Sequence, residues 1–237
     1  RQRQMCIRDR FIATCIGLAL SAPVLAHSLP KPIESKITKG WYTNDAMGCM
    51  MLRECTEGVQ EVFSIADISD NYNRNFDHVS REFHEMLVAL NYVGVKVYLG
   101  DEKYFPVGNR GVYHTVGNNF FLNKAYMGRP SALMSVMRHE GWHAAQDCMA
   151  GTIDNSMIAI IMDEDKVPQI WQDIATRTYA ANPKAIPWEK EAFWAGKTEG
   201  MTMRALKACA DGNMWEVYTP TPMTKEWLQK NGFMKGG

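Results

Sequence analysis

The chain has 237 residues, 46% hydrophobic and 22% charged, with 26 basic residues balanced by 26 acidic ones. That length suits one globular domain with a sizeable core rather than two full domains. The charge balance excludes the one-signed basic face that nucleic-acid binding needs, so no nucleic-acid partner is expected.

Arg1, Arg3, Arg8 and Arg10 lead into an apolar run over residues 11–20, followed by Ser21-Ala22-Pro23-Val24-Leu25-Ala26. This pattern reads as a secretory signal peptide, 1–26, cleaved after Ala26, and the run is too short to span a membrane. The protein is therefore expected to be secreted or periplasmic, without stable membrane insertion after cleavage. Residues 1–10, RQRQMCIRDR, resemble translated adaptor sequence and are set aside from fold reasoning. Beyond Ala26 the chain carries 22 basic and 25 acidic residues, a mildly acidic surface suited to a neutral or weakly basic partner.

Residues 27–39 are rich in Pro, Lys and Ser without periodicity and read as an extended arm. Residues 27–70 are expected to hold this arm and a disulfide loop, and 71–237 the main domain. Cys49, Cys55, Cys148 and Cys209 remain after cleavage, and the short spacing of the first two favours Cys49 with Cys55, leaving Cys148 with Cys209. No CxxC pair supports a cysteine zinc site.

Over 71–90, Phe76, Val79, Phe83, Met86, Leu87 and Leu90 recur at spacings of three and four, which predicts an amphipathic helix. Alternation over 92–99 predicts a strand, and 111–115 and 119–122 predict two more, joined at Val116-Gly117-Asn118. Pro130 and Ser131 signal a helix start, with Ser131 as N-cap, and 133–149 then runs helical until Gly151. Helices are further expected over 156–162 and 166–179, from Pro187 towards Ala210 as one long element, and over 225–230. The fold class expected is α+β, a small sheet followed by a mainly helical C-terminal half.

Within the 133–149 helix stands His139-Glu140-Gly141-Trp142-His143. Residues four apart share a helix face, so both imidazoles can aim at one ion about 2 Å from each. Glu140 is then placed to take a proton from water that a metal has made more acidic. Chance alone would supply about 0.01 such HExxH matches in a chain of this composition. Downstream, Pro187-Trp188-Glu189-Lys190-Glu191-Ala192-Phe193 opens a helix with two carboxylates. Acidic residues in a first turn also favour the helix dipole without any metal.

Over roughly 92–206 the chain resembles the zincin metallopeptidases, in the branch whose third ligand is a glutamate on a later helix within an E-x-E-A stretch. The resemblance implies zinc held by His139, His143 and Glu189, with Glu140 as general base and a peptide or protein substrate. Glu191 is the alternative third ligand, pointing about 200° around the helix from Glu189. Phe193 stands where one common form of the pattern has an aspartate that steadies the first histidine, so that support is unassigned; Asp147 and Glu199 are candidates to orient an imidazole, with a solvated helix residue the favoured reading of each. The elongated motif with a third histidine is absent. In zincins the strand before the metal helix often holds extended substrate along its exposed edge, which makes residues 118–122 the expected cleft wall. Tyr113, His114, Arg177 and Tyr179 are candidates to stabilise an oxyanion. His78 and His84 are expected at the surface, and Trp142 and Trp188 beside the metal. Two alternatives stand beside a secreted metallopeptidase: a zinc amidase acting on peptidoglycan, and a non-catalytic zinc-binding interaction protein of the cell envelope.

Overall fold

Alternating apolar residues in the strands and three-four spacing in the helices put hydrophobic side chains on both faces of one sheet, and helices cover it. The computed structural model describes residues 46–151, 157–232 and 234, together with the backbone of 5–8. The apolar run at 11–20 and the cleavage site expected after Ala26, the arm expected at 27–39 and the start of the helix expected over 156–162 lie outside the described residues.

Strands β1 (Met5–Arg8), β2 (Val59–Glu61), β3 (Lys96–Gly100), β4 (Asn109–His114) and β5 (Asn119–Asn123) line up in the order β1-β4-β5-β3-β2. β3 and β5 run parallel, with Lys96 opposite Asn119, and the other neighbours are antiparallel. β1 falls within the residues set aside above and pairs Met5 with Tyr113 along the outer edge of β4. β4 and β5 form the expected hairpin, closing at His114 opposite Asn119. The expected cleft wall requires correction: β5 is flanked on both sides by β4 and β3, so its backbone groups are spent within the sheet, and on that side β4 and then β1 lie outside it.

Alternation along the strands sorts the core into two layers. Val97, Leu99, Tyr113, Phe120 and Leu122 join the main core, while Tyr98, Val112 and Phe121 enter a second buried cluster with Met47 and Met50 of α1 (Ala46–Met51). The Cys49–Cys55 disulfide ties α1 to the following loop. A single turn, α2 (Ala66–Ser69), precedes α3 (Asp77–Tyr92), whose stripe of Phe83, Met86, Leu87 and Leu90 is buried as its spacing predicts. α3 takes Tyr92, the first residue assigned above to a strand, and a turn at Val93-Gly94 follows, so β3 begins only at Lys96.

α4 (Pro130–Met149) is the central helix, packed against α3, β4 and two later helices. Arg129 occupies its N-cap without a side-chain bond and Pro130 sits in the first turn, so Ser131 is inside the helix rather than capping it. Proline at that place needs no N–H partner, which relieves the demand for a cap. Arg138 clamps α4 to α3 through a two-pronged ion pair, its Nε 2.6 Å and an Nη 2.5 Å from the Glu82 oxygens.

No helix forms at Met157–Met162: the Ala159 N–H bonds the Gln146 carbonyl, and the Ile161 and Met162 N–H groups donate to the Glu191 carboxylate. Those bonds take the donors a helix would need. α5 (Gln169–Thr178) follows, and the long helix expected from Pro187 towards Ala210 is two helices, α6 (Ile186–Lys197) and α7 (Met201–Ala210). Gly200 breaks the run at φ 75°, a left-handed conformation that costs glycine little. α8 (Met214–Val217) and α9 (Lys225–Lys230) follow. The Cys148–Cys209 disulfide joins the ends of α4 and α7, as the spacing argument expects. No helix among the described residues is long and apolar enough to cross a membrane, and two disulfides point to an oxidising environment.

Candidate metal centre

His139 and His143, one turn apart on α4, send their rings from the same face, and Glu189 reaches them from the first turn of α6. The two Nε2 atoms lie 3.2 Å apart. Glu189 places one carboxylate oxygen 3.3 Å from His139 Nε2 and the other 3.7 Å from His143 Nε2. A tetrahedral ion with bonds of about 2.0–2.1 Å separates its ligands by about 3.3–3.4 Å, close to these spacings. All three side chains are buried, and together they could hold a metal ion. Burial, helped by the neighbouring His139, lowers the His143 pKa to about 4, so its ring is neutral near pH 7 and able to donate a lone pair.

The tautomer of His143 follows from its neighbours. Gln146 directs its amide nitrogen at two acceptors, the Glu191 carboxylate at 2.8 Å and the Trp188 carbonyl at 3.1 Å. Its oxygen must then face His143 Nδ1, 2.8 Å away, and can only accept there. Nδ1 accordingly carries the proton and Nε2 turns its lone pair towards Glu189 and His139.

The two glutamates of α6 have separate surroundings. Burial pushes Glu189 up to about 7, against the pull of His143 and a hydrogen bond from the Tyr179 side chain. Glu191 lies away from the histidines and accepts from Trp142 Nε1, Gln146 Nε2 and the backbone N–H groups of Ile161 and Met162. Burial raises it to about 7 even so. Glu191 thus anchors α6 to α4 and the 157–162 segment.

Glu140 is fully buried between α4 and β4. A Cβ on Gly111 would stand 3.2 Å from its Cγ and one carboxylate oxygen, so only glycine there leaves the side chain its present room. Burial and the nearby Glu189 charge hold the Glu140 pKa well above the carboxylate range, with the Tyr113 backbone N–H drawing it down. Its oxygens make no side-chain hydrogen bond among the described residues.

No family model, curated protein or solved structure matches this chain.

Of the residues singled out by sequence, His139, His143 and Glu189 come together, Glu140 adjoins them, and Glu191 faces elsewhere. Asp147 accepts the Tyr113 hydroxyl at 2.8 Å, and Glu199 is exposed in the turn between α6 and α7, so the support found for an imidazole comes from Gln146. Tyr113 is buried against Asp147, Arg177 is exposed with its Nε on the Asp173 carbonyl, and His114 lines a separate cavity with Arg53 and Lys96. Tyr179 alone of the four oxyanion candidates reaches the group, through Glu189. His78 and His84 are exposed, as expected. Trp142 and Trp188 both sit on the Glu191–Gln146 side, one as donor and one through its carbonyl. Gln146 and Gly111 were not legible as functional: a glutamine three residues past a histidine matches no ligand spacing, and the close approach at Gly111 arises only when β4 crosses α4.

Proposed function

We propose that this chain is a secreted zinc-dependent hydrolase of the zincin type that cuts peptide bonds, with zinc held by His139, His143 and Glu189. One observation carries the reading: three buried donors stand at the spacings of a tetrahedral ion, with a buried carboxylate beside them that no other side chain engages. Two imidazoles and a carboxylate suit zinc, and a group of three protein ligands keeps a coordination position for chemistry, whereas purely structural sites are normally closed by four. Zinc bound there would polarise a substrate carbonyl and make water more acidic.

The chain's own residues supply the remaining work. Glu140, next in sequence to the first ligand, accepts the proton from the attacking water and can return it to the leaving amine. Gln146 keeps His143 in the tautomer that presents Nε2. The outer edge of β4 pairs with an extended segment, Met5–Arg8, and main-chain bonding of this kind suits a peptide substrate.

Glu140→Gln tests the assignment because it preserves size while removing the base. The variant is expected to bind zinc like the wild type while hydrolysis of a mixed peptide library, followed by mass spectrometry, falls by about 10²–10⁴-fold. Undiminished cleavage would remove Glu140 from the mechanism, and cleavage of peptidoglycan in place of peptides would transfer the chemistry to an amidase.

A further inference from the structure

The sheet carries a polar row at one end of a buried apolar face. Tyr98, Phe121 and Val112 stand side by side across β3, β5 and β4 and enter the second buried cluster. Two residues along each strand, on the same face, the row becomes Lys96, Asn119 and His114, with Lys96 opposite Asn119 and Asn119 opposite His114. His114 and Asn119 are buried although polar. Apolar residues there would simply extend the cluster, so packing alone does not account for the row.

A cavity of about 460 Å³ lies against this row. Arg53, just beyond α1, and Asn118, in the β4–β5 turn, line it, with Met51, Leu52 and Val116 as apolar wall. Among the described residues, Arg53 at φ 58° and Asn118 at φ 50° are the non-glycine residues in the left-handed region, and both lie here. Asparagine adopts that conformation readily, but arginine does so at a cost, and such positions gather where a side chain must be aimed. The Arg53 guanidinium lies 5.0 Å from the centre of the Tyr98 ring, which steadies it beside the cavity. Gly117 closes the turn so tightly that a Cβ would stand 2.8 Å from the Asn119 amide nitrogen and 2.9 Å from His114 Nδ1. The cavity is separate from the metal centre: Gly111 and Tyr113 face α4, so Val112 and His114 point from the other side of the sheet.

Charge and size select the ligand. No carboxylate is among the lining residues. Lys96 Nζ lies 3.2 Å from Glu61, which offsets its charge, and burial lowers His114 to about 4, which leaves its ring neutral near pH 7. Arg53 is exposed and makes no ion pair among the described residues, so its positive charge is the surplus. A single surplus charge matches a carboxylate better than a phosphate of about −1.5 to −2. A guanidinium also grips a carboxylate in a two-pronged fashion. The volume falls in the range of small-molecule sites, and the apolar wall suits an aliphatic body.

We propose that this cavity is a second ligand site, for a small organic monocarboxylate with an aliphatic body, held by Arg53 and Lys96 on the face of the sheet away from the metal centre. The carboxylate comes from a free acid or from the C-terminal residue of a peptide. The proposal stands apart from the hydrolase reading.

The experiment compares N-acetyl-leucine with N-acetyl-leucinamide on the full protein by calorimetry, two probes of equal size that differ in a carboxylate against a neutral amide. The acid is expected to bind at least about tenfold more tightly, the usual reach of a hydrogen bond to a charged group. Arg53→Gln with Lys96→Gln changes two exposed side chains, so the fold should persist by circular dichroism while the preference for the acid disappears. His143→Ala should bind the acid like the wild type, which separates this site from carboxylate capture at the metal centre. Equal affinities for acid and amide, no binding of either, a preference that survives the Arg53 and Lys96 substitutions, or binding lost in His143→Ala would each overturn the proposal. The tripeptide glycyl-glycyl-leucine then separates the two sources: affinity equal to that of N-acetyl-leucine assigns a peptide terminus, and much weaker binding assigns a free acid.

Discussion

Gln146 accepts a hydrogen bond from His143 Nδ1 at 2.8 Å, and its own orientation is set by the Glu191 carboxylate and the Trp188 carbonyl. The ring is therefore oriented before any metal arrives. Gln146→Leu keeps a similar volume but removes the acceptor, which leaves the ring free to turn and to exchange tautomers. Zinc affinity should fall by about 10–100-fold, read by competition with a chromophoric chelator. Unchanged affinity would mean that packing alone orients His143.

The two buried glutamates of α6 should respond differently to truncation. Glu191 satisfies donors from Trp142, Gln146, Ile161 and Met162, and Glu191→Ala strands them in the interior. In excess chelator, urea denaturation should show a loss of at least about 3 kcal/mol for that variant. Glu189→Ala removes a buried charge from the metal-free protein, so its stability loss under the same conditions should be smaller. Its effect should appear as lost zinc. Similar stability losses in both variants would contradict this division of roles.

Gly111 marks the closest approach of β4 to Glu140. A Cβ there would meet Val136 Cγ1 at 2.7 Å as well as the Glu140 side chain at 3.2 Å. Gly111→Ala is expected to cost about 1–3 kcal/mol by overpacking and to displace the Glu140 carboxylate. Zinc content should stay at the wild-type level, because the three ligands sit on other surfaces, while kcat falls. A variant with wild-type kcat would show that the carboxylate needs no such room.

Away from the metal centre, His114 predicts a pH dependence of stability. Burial lowers its pKa from 6.5 to about 4. The unfolded chain takes up a proton near 6.5 that the folded chain refuses until about 4, so the unfolded state holds more protons across that window. Stability contributed by the neutral ring is complete above 6.5 and declines as pH falls towards 4. Between pH 7 and pH 4 the wild type should lose about 2–3 kcal/mol more than His114→Gln, measured by urea denaturation at each pH. Parallel profiles for the two proteins would contradict this.

Local rules made much of this fold readable. The stripe of α3, the β4–β5 hairpin, the extent of α4 and both disulfides follow from periodicity, turn residues and cysteine spacing, and the structure contains each of them. Long-range contacts hid the rest. Met157–Met162 has the composition of a short helix, but its N–H groups go to Glu191 and Gln146 from other elements. The break at Gly200 was visible as a glycine, yet helices tolerate isolated glycines, and only φ 75° shows that this one stops α6 from continuing into α7. Strand order could not be read because β4 folds back outside β5, leaving β5 interior. At the metal centre, helical spacing joined His139 to His143 and the angular offset separated Glu189 from Glu191. The Gln146 and Gly111 contacts depend on tertiary packing that no spacing rule encodes.

The most direct test is zinc content, by elemental analysis after dialysis without added metal, of the wild type beside His143→Ala and Glu189→Ala. The account predicts about one zinc per chain in the wild type and loss of it in both variants, with folding verified by circular dichroism. Wild-type zinc retained by either folded variant, or none in the wild type after reconstitution, would contradict it.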